Sequence, residues 1–268
     1  MSMFYLSGLL IATSSMIAVI FHLQQSYTSY WDFVAFAMVL GGTMAVATII
    51  APWDIYKDLG RNIRRLFIYV APSQRDFLKL CLEVVAQRGG GMKDFKVDPS
   101  RPEQRILRDG MELISLGFST EKIEIVLKER VYQANERNNR VSAMIRSLSK
   151  YPPAFGLAGT VFGLVHLMRG VSEGMNAKET GVRMAIALVA TLYGLMVANL
   201  FVNPAGELIN RFAKMDELLA EMAIQAILLA RENTPILEAQ EMLNSFVDVD
   251  QRIDMTLTGS LRDRIAAT

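Results

Sequence analysis

The sequence predicts an all-α membrane protein: four transmembrane helices in two hairpins, a helical cytoplasmic domain between spans two and three, and a helical cytoplasmic tail. Two observations predict it. The first is where the charge lies. All 28 Lys and Arg residues stand at or after Lys57, and before Asp54 the only charged side chain is Asp32. A charge at the centre of a bilayer costs about 2.5–3.5 kcal/mol on insertion scales, so a membrane segment sheds charge where a soluble domain has no reason to. The second is length. Four apolar stretches approach the roughly 20 residues needed to cross about 30 Å of hydrocarbon at 1.5 Å per residue. Bulk composition, 51% hydrophobic and 21% charged, stays too near soluble values to decide the class.

The first span runs from about Met3 to Leu23. It lacks a signal peptide's basic start and small-residue cleavage site, so it reads as a retained helix. The second runs from about Trp31 to Trp53, with a tryptophan at each end like an interface anchor. Asp54 to Tyr69 reads as that span continuing past the membrane. Ser73 to Arg88 places Phe77, Leu80, Cys81, Val84 and Val85 on one helix face, and Gly89-Gly90-Gly91 breaks it. Pro102 suits a helix's first position, with Gly117 as the stop after Leu116. Ser119 or Thr120 caps the next helix, with Glu121 in its first turn, and this helix runs toward Lys150.

The third span begins at Pro152-Pro153 and stays uncharged to Met168; being short, it extends a turn at its Arg169 end. The fourth runs from about Met184 to Asn203. Pro204 marks a kink or stop, Pro204 to Arg231 is amphipathic, and Asn233-Thr234-Pro235 interrupts before a shorter helix. From Asp248 onward the chain is polar and reads as frayed. No internal repeat or strand pattern is visible. The expected parts are 1–53 and 152–203 in the membrane, with 54–151 and 204–268 as the cytoplasmic domain and tail.

Orientation follows from the loops. Gln24 to Tyr30 carries no charge, whereas Asp54 to Tyr151 carries 19 Lys and Arg against 13 Asp and Glu. Lys57, Arg61, Arg64, Arg65, Arg140, Arg146 and Lys150 crowd the membrane ends, so this long connection faces the cytoplasm and both termini lie there too. The short, mixed loop from Arg169 to Arg183 lies outside. The chain is thus expected to be a multi-pass inner-membrane protein.

Little here supports catalysis. Cys81 is the only cysteine, which excludes an internal disulfide and a cysteine-based metal cage, and it reads as a small buried apolar residue. His22 lies at the outer end of the first span and His166 inside the third. Neither has the spacing of a catalytic triad, a paired carboxylate or a metal site, so no enzyme, bound metal or cofactor is expected, nor any nucleic acid. His166 finds a partner near the outer interface or serves as a proton relay.

No Asp, Glu, Lys or Arg occupies the interior of any span, although ion-translocating proteins usually carry one at depth. Either this chain moves no ions or a partner's helix brings the carboxylate. Gly156, Gly159, Thr160 and Gly163 form a small-residue stripe on the third span. Ala187, Thr191, Gly194 and Ala198, with Asn199 beside them, form another on the fourth. Such stripes let helices approach closely, and threonine hydroxyls either bond across the contact or line a polar path.

The run Pro153-Ala154-Phe155-Gly156-Leu157-Ala158-Gly159-Thr160-Val161-Phe162-Gly163-Leu164 resembles the third-span signature of the MotA/PomA family of flagellar stator subunits. Met184-Ala185-Ile186-Ala187-Leu188-Val189-Ala190-Thr191-Leu192-Tyr193-Gly194, ending in Asn203-Pro204, is similar to that family's fourth span, and Leu40-Gly41-Gly42-Thr43 to its second. Loop spacing and hairpin order extend the resemblance to about Phe246. It implies a homopentamer around two copies of a MotB-like partner, each contributing a transmembrane helix with an ion-binding Asp. H+ or Na+ would pass between that helix and spans three and four, past Thr160, Thr191 and Tyr193. Pro153 and Pro204 match the prolines that couple ion binding to the cytoplasmic domain, which pushes a rotor protein of the C-ring.

At the rotor-facing position Arg88 matches, but the acidic position about eight residues on is Lys96 here, with Asp94 as a substitute. Sodium-driven members resemble this chain in having both threonines, as do some proton-driven ones, so the ion stays open. A TolQ/ExbB-type energiser is the nearest alternative, though those relatives place one span, not a hairpin, before the cytoplasmic domain. A passive membrane scaffold is the other, and it leaves the prolines and threonines unexplained.

Overall fold

The computed structural model describes residues 2–22, 30–68, 73–87 and 101–253, and these hold helices and short connections without a strand. The chain separates into two compact units. One comprises Met1–Val70 and Arg137–Asn210, the other Ala71–Glu136 and Arg211–Thr268.

In the first unit, α1 spans Ser2–His22, α2 Phe33–Ile50 and α3 Trp53–Ile68. The carboxylate of Asp32 accepts from the amides of Val34 (2.8 Å) and Ala35 (3.3 Å) at the start of α2. The lone charge of the first fifty residues thus satisfies orphan donors at the positive end of a helix dipole. The second span does not continue past the membrane as one helix. Ala51 is extended (φ −97°, ψ 126°), as the residue before a proline prefers, and Pro52 starts a new helix direction. α3 is therefore a separate, strongly amphipathic helix.

α6 spans Thr120–Leu148, and the unit boundary falls within it; α7 spans Tyr151–Ser172 and α8 Ala177–Met196. α7 does extend a turn beyond Arg169. The expected Arg169–Arg183 loop shrinks to Glu173–Asn176, because Asn176 caps α8 by accepting from the amide of Glu179 at 2.9 Å. Pro204 does not stop the chain: a six-residue π-helix, Val197–Val202, leads from α8 directly into α9, Asn203–Arg231. Three helical runs of the described chain are long and apolar enough to cross a membrane: α2, Thr120–Ser172 with α7 in it, and Ala177–Arg231 with α8 in it. α1 contributes a shorter apolar stretch, Leu6–Val19.

The second unit packs α4 (Gln74–Ala86), α5 (Pro102–Ser115), the first part of α6, the later part of α9 and α10 (Ile236–Asn244) around one apolar core. Leu78, Leu82, Leu107, Ile123, Leu127 and Ile227 are fully buried in it. The apolar face of Phe77, Cys81, Val84 and Val85 and the stop at Gly117, both read from the sequence, hold here. Ser73 caps α4, with Asp76's amide donating to its hydroxyl at 3.3 Å. Gly117 (φ 78°) turns the chain after α5, and Phe118's amide reaches back to Leu113's carbonyl at 3.1 Å. The stretch after Asp248 is not frayed where it is described. Val249–Gln251 forms a 3₁₀ turn and Ile253 is buried, its carbonyl accepting from Gln240 (2.7 Å) and Asn244 (3.1 Å).

Candidate functional site

α7 and α8 lie against each other along the two small-residue stripes. A Cβ added at Gly156 would stand 2.7 Å from the carbonyl oxygen of Ala190, and one at Gly163 only 2.5 Å from the Ala187 Cβ. At Gly194 it would run into the carbonyl of Pro152. α2 closes the third side, where Gly42 accommodates the ring of Phe155. At Gly156 and Gly194 the contact is backbone against backbone, the close approach that small residues permit.

Four oxygens gather in this seam. The buried Thr160 Oγ1 lies 3.2 Å from the carbonyl of Gly156, 3.1 Å from that of Ala187, and in very close contact with Thr191 Oγ1. Thr191 Oγ1 in turn reaches the Gly156 carbonyl at 3.3 Å. Two hydroxyls bring two protons, and four oxygens bring more lone pairs than two protons can fill. The cluster therefore presents net acceptor capacity inside an apolar contact, the chemistry that suits a proton carrier or a partly dehydrated small cation.

The structure brings Thr160 and Thr191 together but sends Tyr193 elsewhere. Its hydroxyl donates to the carbonyl of Tyr30 and accepts from the amide of Asp32 at 3.2 Å, while its ring meets Phe36 edge-on at 6.0 Å. Tyr193 thus ties α8 to the start of α2. Pro153 lies half-buried in the first turn of α7. Pro204 follows the π-helix, in which the amide of Asn203 bonds five residues back to Ala198. Having no N–H, Pro204 cannot add the next rung, so the irregular turn falls where the ladder is already broken. Close by, Gly206 offers its carbonyl to Ser142 Oγ at 3.1 Å. Arg88, Asp94 and Lys96 lie outside the described residues.

His166 finds a side-chain partner. Nε2 accepts from the Arg183 guanidinium at 2.8 Å, and since arginine only donates, that nitrogen carries a lone pair. Both line a cavity of about 440 Å³ between α2, α7 and α8, with Asp32, Met38 and Phe162. The Arg183 pairing, the Asp32 cap and the π-helix were not visible as functional signals in the sequence. The spacing Asn176-Ala-Lys-Glu179, a helix-start pattern, could have shown that Arg183 lies on a helix. Among the described residues no cluster of three His, Cys, Asp or Glu could hold a metal.

Residues 98–222 match the sequence model of the MotA/TolQ/ExbB proton channel family. The motility protein A of Aquifex aeolicus is 26% identical over 224 residues, 81% of this chain and 86% of its own. The chemotaxis protein PomA of Vibrio alginolyticus is 24% identical over 199 residues, 70% of this chain and 77% of its own. A chain of the C. jejuni MotAB structure superposes with a TM-score of 0.83 at 18% identity, covering 95% of this chain and all of that one. The fold is therefore MotA-like, and the resemblance carried by the span motifs is borne out.

Proposed function

We propose that this chain, similar in sequence and fold to the motility protein A branch of the MotA/TolQ/ExbB proton channel family, is the channel-forming stator subunit of a flagellar motor. With a MotB-like partner it couples the flow of H+ or Na+ across the inner membrane to torque on a rotor. The observation that carries the reading is the Thr160–Thr191 oxygen cluster, set in a seam whose spans hold no charged residue at depth. Such a cluster can pass an ion along, but it offers no carboxylate to hold one, and the partner's transmembrane Asp supplies that.

In this arrangement α1 joins α2, α7 and α8 as a fourth span, both termini face the cytoplasm, and five copies surround two partner helices. Residues 1–53 and 152–203 form the membrane part, with 54–151 and 204–268 in the cytoplasm. Pro153 and Pro204 transmit the local change at the seam, and Arg88, Asp94 and Lys96 face the C-ring protein. Arg88→Glu should then reduce torque while leaving membrane assembly intact; a variant that fails to assemble makes Arg88 structural instead. Two helices, α1 and α2, precede the cytoplasmic domain, an order that favours a stator over a TolQ/ExbB-type energiser.

Flux assays on proteoliposomes test the proposal. The chain reconstituted with its partner should pass ions under an imposed H+ or Na+ gradient, and the gradient that works names the ion. The chain alone should pass none. Flux through the chain by itself would show that the carboxylate is not borrowed and sink the reading.

A further inference from the structure

Resting on the placement of α2 in a membrane, we propose that α3 is a lipid-reading helix: its outer face binds the anionic phospholipid headgroups of the leaflet at the Ile50 end of α2. The break at Ala51-Pro52 releases α3 from the axis of α2 immediately after an apolar helix. It therefore starts at a membrane boundary. α3 is 16 residues long and carries Lys57, Arg61, Arg64 and Arg65 against Asp54 and Asp58.

Its two faces have different tasks. Asn62 and Leu66 are buried, Asn62 Nδ2 donating to the Asp58 carbonyl at 2.9 Å. Ile55 and Tyr56 pack against Ala47, Ala51, Met144 and Leu148. That side is the protein contact. The opposite side, at helical spacing, shows Trp53 (75% exposed), Lys57, Gly60, Arg61 and Arg64, with Ile63 on its flank (42% exposed). Arg61 reaches Asp58 at 3.4 Å, yet 73% of its side chain stays open.

Indole and aliphatic groups beside a row of cations form the pattern of a helix lying in a membrane interface. The apolar groups sink toward the acyl boundary, and the cations sit at phosphate level. Trp53 at the start of α3 and Ile63 ten residues on are both left exposed by the packing within the chain. A second protein copy would have to place acidic groups against three cations. The membrane at the cation-rich end already carries the complementary charge, and each Lys or Arg near such a surface strengthens attachment roughly fivefold.

The tryptophans make the test direct, since Trp31 and Trp53 are the only two in the chain. The full chain with its partner is reconstituted as Trp31→Phe in vesicles of phosphatidylcholine and phosphatidylglycerol, with bromine on the acyl chains of one lipid at a time. Brominated phosphatidylglycerol should quench Trp53 well beyond its share of the lipid. The triple variant Lys57→Gln, Arg61→Gln, Arg64→Gln should lower that preference by about tenfold or more. Lys122→Gln with Lys128→Gln should leave it unchanged. Equal quenching by both lipids overturns the headgroup assignment. So does an unquenched Trp53 when Trp31, read in the Trp53→Phe chain, is quenched, because a second copy or another protein then covers α3. If neither tryptophan is quenched, the membrane placement of α2 falls together with the proposal.

Discussion

In the second unit α4, α5, α6, α9 and α10 turn their large side chains inward and bury Leu82, Leu127 and Ile227 completely. In the first, α7 and α8 meet over Gly156, Gly163 and Gly194 and turn Leu157, Phe162 and Val165 outward. One packing buries apolar area and the other arranges close approach. The difference is that of two solvents. In water, removing a leucine side chain from solvent stabilises by about 1.5–3 kcal/mol, so large residues go inside. In lipid the tails are as apolar as leucine, so helices gain by fitting backbones together and by hydrogen bonds such as those of Thr160.

Crowding the two contacts should separate them most. Gly156→Val forces atoms against the backbone oxygen of Ala190, which cannot swing away. It should cost more than the roughly 3 kcal/mol typical of overpacking, visible as loss of assembled protein from detergent extracts. Gly110→Ala meets only the side chain of Ile227, at 2.5 Å, and gains helix propensity of about 0.5–1 kcal/mol. Chemical denaturation of that variant should show a net cost under about 2 kcal/mol. Equal damage from both would erase the distinction.

Truncation should reverse the ranking. Leu127→Ala opens a cavity in the second unit and should lower stability by about 2–5 kcal/mol. Leu157→Ala trims an outward side chain, 61% exposed, and should alter thermal stability in lipid only slightly. If Leu157→Ala proves the worse of the two, its face of α7 is covered by protein rather than lipid.

Thr191→Val sharpens the comparison at the seam itself. The shape stays and the oxygen goes, and a transmembrane hydrogen bond is worth about 0.6 kcal/mol on average, so assembly should survive. Ion flux and motility should fall. Normal motility in assembled Thr191→Val would leave Thr191 with a packing role alone. The smallest effect is expected at Cys81: burial pushes its thiol well above the ordinary cysteine range, so alkylating reagents should label it only after unfolding. Rapid labelling of native protein would mean that the second unit opens readily.

How much of this was readable in advance depends on range. α4 followed from its apolar face, and α5 and α10 from local devices, Gly117 and the Asn233-Thr234-Pro235 break, where Asn233 takes a left-handed φ of 57°. The seam followed from stripes at helical spacing, and Thr160 and Thr191 proved to touch. Two misses had local signals that a coarser feature concealed: Pro52 inside the uncharged second span, and Asn176 inside a loop read as charge alone. Others had none. Nothing near Ile253 announces that Gln240 and Asn244 will hold its carbonyl, and Tyr193's bond to Tyr30 joins residues 163 positions apart.

The π-helix has a consequence for anyone redrawing this chain on paper. A turn closed by bonds to the fifth residue back holds one residue more than an α turn does, and each α-helical residue advances the wheel by about 100°. A helical wheel drawn straight through from Met184 to Arg231 is therefore out of phase by about that angle once it passes Val202. Every face it assigns to α9 is displaced by one position. A one-residue deletion between Val197 and Val202 would mend the ladder and regularise the helix. Each later side chain would still face the neighbour it meets now, whereas a regular α ladder that kept all six residues would swing it by about 100°.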